Sequence, residues 1–596
     1  MSGPVEEFDV VCADGEIHGA DGNVAVYGTP FHESKETIVA EYLDDPVEVF
    51  LTREQFRSCG NYLLFDGRDA DAVRVITSPG FCSGYLYSNP ESVRVSTLLT
   101  NVLEPWYEDG REIDDGYLEL FLTKQRPFQG TPFERVRQLR PATIYEIESG
   151  DITAVSSYLS PKTDASPSVE RGMRRCAASL SGNSVSVMFS GGLDSLSWYL
   201  VLASELGADD VDLVTVDWRP ESEGQGPFFA RPVAENLGFE LEVVSFDDGW
   251  LTEAPSVVDH ISDWMRKDIT IGRNPNHALA DFDEVNDVII NLTNNESLIT
   301  LQMNHLYRKK FINGANSIKR NTKMAGFFLF KQYLHNIPYT AQYMRNRAVR
   351  LGYLGLCWPL ARAVDSLYPG EVPIDLAAAS VEDMDLSEEA IGRSVLSKRL
   401  PNLEVDQQAD RVESELDAIT EIVDHTDVHY LARLLYYYGH MAYPSNTLEK
   451  LPLSGQGART YLPTTWGPML PLLFDDLTLR DAVNPRRQLL DIVEFETGTP
   501  FTELRPLSEE LNTGDRASTG EYRKDVYSSV VRKHGGLLSP DGSLMLQYVD
   551  GETSRWYEQE LRDGGQVAEN GRGSFWSVLK TSRMVNLELL LRDSIP

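Results

Sequence analysis

The chain has 596 residues, 42% of them apolar, with 54 Lys and Arg set against 91 Asp and Glu for a net charge of −37. That length accommodates two to four domains at roughly 100–200 residues each, and 9 Trp, 26 Tyr and 23 Phe exclude a disordered composition. The acidity argues against a protein that coats nucleic acid or anionic membrane, either of which needs a net basic face; because the acids run along nearly the whole chain, they point instead to a hydrated, salt-adapted (halophilic) surface.

The five cysteines, Cys12, Cys59, Cys82, Cys176 and Cys357, are scattered without a C-x-x-C pair, so neither a zinc site nor a disulfide framework is expected. The start, Met1-Ser-Gly-Pro-Val-Glu-Glu7, lacks the basic and apolar regions of a signal peptide, and no run of 18 apolar residues occurs. A cytoplasmic protein without a membrane span is expected.

Residues 1–160 read as a β-rich, antiparallel domain. Val24–Tyr27, Tyr62–Phe65, Val73–Ile76 and Ile144–Ile147 are short apolar runs bounded by Gly, Asp, Asn and Pro, and few segments hold a helical period. Leu159–Ser168 carries two prolines and reads as a linker, followed by a helix over Val169–Leu180. Strand and helix then alternate: strand Val185–Phe189, helix Leu196–Leu206 closed by Gly207, strand Val211–Val216, helix Phe228–Leu237 closed by Gly238, and strands Leu241–Ser245 and Val288–Leu292. This order predicts a doubly wound parallel sheet in an α/β domain over 170–530. Beyond about residue 300 the chain reads as a helical extension, and 531–596, richer in Gly and polar residues, is a C-terminal extension without an assigned role.

The chemistry concentrates in Ser190-Gly191-Gly192-Leu193-Asp194-Ser195, between the first strand of the alternating region and its helix. Gly191 and Gly192 lack Cβ atoms, so backbone N–H groups can close on a phosphate. The helix N-terminus adds further donors and a partial positive charge. Ser190 and Ser195 offer hydroxyl donors. Asp194 repels phosphate directly but can hold the Mg²⁺ that neutralises it. Neither the Walker pattern nor the dinucleotide fingerprint fits.

This string resembles the PP-loop of the ATP pyrophosphatase superfamily. The flanking chain is similar to the asparagine synthetase branch in three places: Cys59-Gly-Asn-Tyr-Leu-Leu-Phe65 through Gly84–Tyr87, Gln129–Ile147, and Asp287–Leu298. The resemblance implies an N-terminal glutaminase-like (Ntn-like) domain, then a domain that splits ATP between the α and β phosphates. Its implied ATP-binding residues are Ser190, Gly191, Gly192, Leu193, Asp194, Ser195 and Val216, with Mg²⁺ on Asp194 and Glu296 and catalytic roles for Asp194 and Lys524. The implied activity is an amidoligase that adenylates a carboxylate, carried by a small molecule, glycan or peptide, and transfers ammonia or an amine to it; a homodimer is compatible with this.

Three departures qualify the resemblance. The family's nucleophilic cysteine is replaced by Ser2, so glutaminase activity is expected to be lost. Cys59 stands where an aspartate is usual. Glu296 replaces the aspartate of the second metal loop, which has lost its glycines. Met469–Asp475 and Cys357–Leu360 compete as counterpart of a downstream Pro-containing segment. Ser297–Val364 contains no Asp or Glu at all, which fits a segment facing an anion, an RNA-facing one or a buried helical layer. Two other readings stand beside the ligase: a PP-loop RNA-modifying enzyme, disfavoured by the absence of a close cysteine pair, and an inactive nucleotide-binding scaffold.

Overall fold

The computed structural model describes residues 7–11, 17–19, 24–69, 72–81, 84–90, 92–96, 99–108, 112–118, 130–159, 168–217, 225–245, 286, 288–292, 437, 459–473, 487–504, 528–539, 542–548, 561 and 575–594. They form three five-stranded sheets with helices, a mixed α/β architecture.

The N-terminal region contributes β1 (Glu7–Val11), β2 (Ile17–Gly19), β3 (Val24–Pro30), α1 (Lys35–Asp44), α2 (Val47–Arg57), β4 (Gly60–Asp69), β5 (Ala72–Thr77), β6 (Gly84–Ser88), β7 (Ser92–Ser96), α3 (Leu99–Glu108), β8 (Val136–Leu139), β9 (Thr143–Glu148) and β10 (Asp151–Ser157). One sheet runs β10-β9-β5-β4-β3 and is antiparallel throughout. The other runs β2-β1-β7-β6-β8 and is antiparallel except for β1, which pairs parallel to β7.

The strand period of two sorts the side chains between layers. Leu63 and Phe65 of β4, Val73 and Val75 of β5 and Leu86 of β6 meet in one core between the sheets. Their alternates, Tyr62, Leu64 and Ile76, pack under α1 and α2. Tyr85 and Tyr87 of β6 face the opposite way, under Leu99, Val102, Leu103 and Trp106 of α3. The order of layers is helix, sheet, sheet, helix. All four strands expected in this region are present, but the expected scarcity of helices is corrected by α1, α2 and α3.

The second region begins with α4 (Val169–Ser179), capped by Ser168, whose hydroxyl accepts from Arg171 N–H. Then come β11 (Val185–Met188), α5 (Leu193–Leu206), β12 (Val211–Asp217), α6 (Gln225–Leu237), β13 (Leu241–Ser245), β14 (Val288–Ile290) and β15 (Arg459–Tyr461). The sheet order is β13-β12-β11-β14-β15, and every pair is parallel. Its inner face, including Val185, Val187, Val211, Leu213, Val288 and Ile290, packs with Met173 of α4, Leu196 and Val201 of α5 and Val233 of α6. α7 (Arg487–Thr497) lies against α4 and α5, and α8 (Phe501–Leu504) follows it. The second helical layer of a doubly wound sheet is not among the described residues.

The C-terminal tail has a place in this arrangement. Val530, Leu538, Met545, Met584, Leu587 and Leu591 share one buried cluster with α3 and β6, so α9 (Phe575–Ser594) extends the outer helical layer of the N-terminal sandwich. Glu588, fully buried, fastens it: its carboxylate accepts from Ser543 Oγ and Leu544 N (both 2.9 Å), Met545 N (3.3 Å) and Arg592 Nε (2.8 Å).

The two regions meet along the 3-10 turns that follow β15. Gly467 N–H donates to Ser58 O at 2.7 Å, and Phe31 packs at a tilt on Trp466 and edge-on to Tyr461.

Candidate functional site

β11 has β12 on one side and β14 on the other. The chain leaves β11 towards β12 and β13, then returns across the sheet to β14. The C-terminal end of β11 is therefore where the winding direction reverses, and in open α/β sheets such a point opens the crevice in which ligands bind. The predicted Ser190–Ser195 loop occupies that end.

The loop's conformation follows from its glycines. Phe189 N–H still bonds across to Val214 O at 2.7 Å, holding the last extended residue on the sheet. Gly191 then turns with φ +65°, a backbone region that only glycine visits at little cost. A Cβ at Gly191 would lie 2.3 Å from Phe229 O and 2.7 Å from Ala230 N, so α6 presses directly on the loop backbone. Gly192 is the N-cap of α5 with φ −84° and ψ 162°, and supplies no side-chain cap. The helix thus begins three residues before the predicted Leu196. Its first-turn N–H groups have no carbonyl one turn earlier to bond.

The two serines brace the turn. Ser195 Oγ donates to Gly192 O (3.2 Å) and accepts from Ser190 N (3.3 Å). The hydroxyls of Ser190 and Ser195 lie 3.3 Å apart, and Gly192 N–H reaches Ser190 Oγ at 3.4 Å. Ser190 is exposed while Ser195 is buried, so one hydroxyl faces solvent and the other anchors the turn. Asp194 is half-buried in the first turn of α5, where the helix dipole favours a carboxylate.

The structure thus brings Ser190, Gly191, Gly192, Leu193, Asp194 and Ser195 together at one point. Val216 lies in β12, on the strand beside β11. Glu296 and Lys524 lie outside the described residues, as do Ser2, the basic stretch 297–364, the Cys357–Leu360 segment and Asp475. Among the described residues no group of three His, Cys, Asp or Glu is placed to hold a metal ion.

Sequence reading missed two features. One is the contact of Phe229 and Ala230 with Gly191, which no local pattern encodes. The other is Asn291, buried one residue past the Val187–Ile290 pair, whose N–H donates to Tyr461 O at 3.0 Å. It follows β14, the strand beside β11 on the side away from β12; a polar residue closing an apolar run was the available signal. No protein-family model matches the chain, and a search of curated proteins likewise returns no match. Among the described residues no helix is long and apolar enough to cross a membrane.

Proposed function

We propose that the chain is an ATP-dependent carbon–nitrogen ligase resembling asparagine synthetases, which adenylates a carboxylate and passes it to ammonia or an amine. The observation that carries this reading is the S-G-G-x-D-S loop at the winding reversal of an all-parallel sheet, ahead of a helix with no side-chain cap. A phosphate chain laid there would meet backbone donors of Gly192 to Ser195 and the Ser190 hydroxyl. Asp194 would hold Mg²⁺, which supplies charge neutralisation for departing pyrophosphate. The chain's contribution is alignment and fixed dipoles, with no protein nucleophile.

The N-terminal sandwich, with helices outside two facing sheets, is compatible with a glutaminase-like domain. With buried Cys59 standing where the family carries an aspartate, we read it as lacking glutaminase activity, so the nitrogen comes as free ammonia or from the acceptor. The carboxylate belongs to a small molecule, a glycan or a peptide.

Product analysis tests this directly. Full-length protein in high salt with ATP, Mg²⁺, ammonium and a panel of carboxylates should yield AMP and pyrophosphate, resolved by phosphorus NMR. ADP and phosphate would refute the cleavage position. Tight ATP binding without turnover on any carboxylate would favour a nucleotide-binding scaffold, and turnover only with RNA would favour the RNA-modifying reading.

A further inference from the structure

Gly191 is held by a neighbour as well as by its own lack of a Cβ. The Phe229–Ala230 peptide of α6 lies so close that a Cβ on Gly191 would come within 2.3 Å of Phe229 O, 2.4 Å of Phe229 C and 2.7 Å of Ala230 N. Two residues further on, α6 carries Pro232 in its interior, where proline is the residue a helix tolerates least. Proline has no N–H to give to the carbonyl one turn earlier, that of Phe228, and its ring crowds that carbonyl. A helix therefore opens on the proline's face and bends towards the opposite one. At about 3.6 residues per turn, Ala230 and Ala234 lie opposite Pro232. Both are buried in the core with the sheet, whereas Pro232 is half-buried and Arg231 and Glu235 beside it are exposed. The bend is thus towards the sheet and the loop. The C-terminal half of α6 is anchored: Val233 and Ala234 sit in the core, and Asn236 Nδ2 donates to Leu504 O at 3.1 Å. The N-terminal half, with Phe229 and Ala230, is the part that the bend drives onto Gly191.

We propose that Pro232 is a positioning residue for the Ser190–Ser195 loop: it bends α6 so that the Phe229–Ala230 peptide bears on Gly191 and keeps the loop in its turned conformation before any ligand arrives. With α6 straightened and withdrawn, Gly191 is free to leave its φ of +65°, and the start of α5 at Gly192 loses its fixed geometry. A loop that must first be ordered binds more weakly than one already in place. That the held loop receives phosphate rests on the ligase reading above; that α6 holds the loop does not.

The test uses full-length Pro232→Ala in high salt, which regains the backbone donor and a better helix former. A proline with no role at the loop predicts only an equal or higher melting midpoint. The positioning role predicts more. Amide hydrogen exchange at Gly191–Ser195 should speed up by about tenfold or more, with no fall in the melting midpoint. For the ligase, KM for ATP should rise by about tenfold with kcat little changed. Gly191→Ala reads the same contact from the other side: the drop in melting midpoint it causes should shrink when Pro232→Ala is added, because α6 can then step back from the new methyl group. Unchanged loop exchange in Pro232→Ala would overturn the proposal, as would additivity of the two substitutions or a lower melting midpoint of Pro232→Ala alone. The loop-exchange measurement decides even if Gly191→Ala does not fold. If the loop exchanges faster in Pro232→Ala while wild type turns over no ATP, the ligase reading fails and the positioning role stands.

Discussion

Gly191→Ala strikes the Ser190–Ser195 loop by adding a single methyl group. At φ +65° an alanine carries about 1–3 kcal/mol of backbone strain. The new Cβ would also meet backbone atoms of Phe229 at 2.3 and 2.4 Å and Ala230 N at 2.7 Å. These belong to α6 and cannot rotate away as a side-chain tip can, so overpacking adds about 1–3 kcal/mol. The cheapest relief is for the loop to abandon its turn. If about 3 kcal/mol then separates the native loop from the relaxed one, the ATP-dependent turnover of the proposed ligase falls by about 100-fold, at 1.36 kcal/mol per decade. Gly182→Ala supplies the control: its φ is +85°, but nothing lies within 4 Å of the added Cβ. It pays strain without collision, far from the loop. The assay is ATP–pyrophosphate exchange on both variants, with circular dichroism to verify folding. A folded Gly191→Ala enzyme working at the wild-type rate would refute this account of the loop.

Three further outcomes are expected. Arg174 bridges Glu170 (3.0 Å), Glu205 (2.8 Å) and Glu496 (2.5 Å), from α4, α5 and α7; because it is partly exposed, Arg174→Met should lower stability by about 1 kcal/mol at low ionic strength and less as salt screens the freed carboxylates, measured by denaturant titration at several salt concentrations. Glu588→Gln removes the charge that four donors share, and should cost about 1–3 kcal/mol and expose the 528–594 region to protease before the rest of the chain; uniform proteolysis would contradict its docking role. The hydrogen bond from Arg57, with burial opposing it, holds the Glu41 carboxyl below its ordinary 4.5. A lowered folded value means this stabilisation is complete above about that pH and is lost as pH falls through the folded value, so Glu41→Gln should flatten the acid limb of the stability curve.

The elements that sequence made legible are those where one physical rule dominates. Alternating apolar residues bounded by turn formers gave β3, β4, β5 and β9, and glycine-closed helices gave the strand–helix order around the loop. α1 and α2 were missed because their buried stripes are impure. α2 buries Glu54 and Gln55 beside Phe50 and Leu51, and α1 buries only Ile38 and Tyr42. α9 misled for a similar reason: Thr581, Ser582, Asn586 and Glu588 are all buried, so the tail read as polar. The site followed the same division. The turn at Ser190–Ser195 was legible from its glycines and the helix that follows, whereas the pressure of α6 on Gly191 depends on a chain segment 38 positions away.

The most direct measurement is ATP–pyrophosphate exchange in high salt with Mg²⁺, scanned across carboxylates, comparing wild type with Asp194→Asn. For the proposed ligase, exchange should require one carboxylate and fall by about 100-fold or more in the variant, as expected for losing a charge that acts on the transition state. Exchange that is unchanged in a folded Asp194→Asn protein, or absent with every carboxylate despite bound ATP, would contradict it.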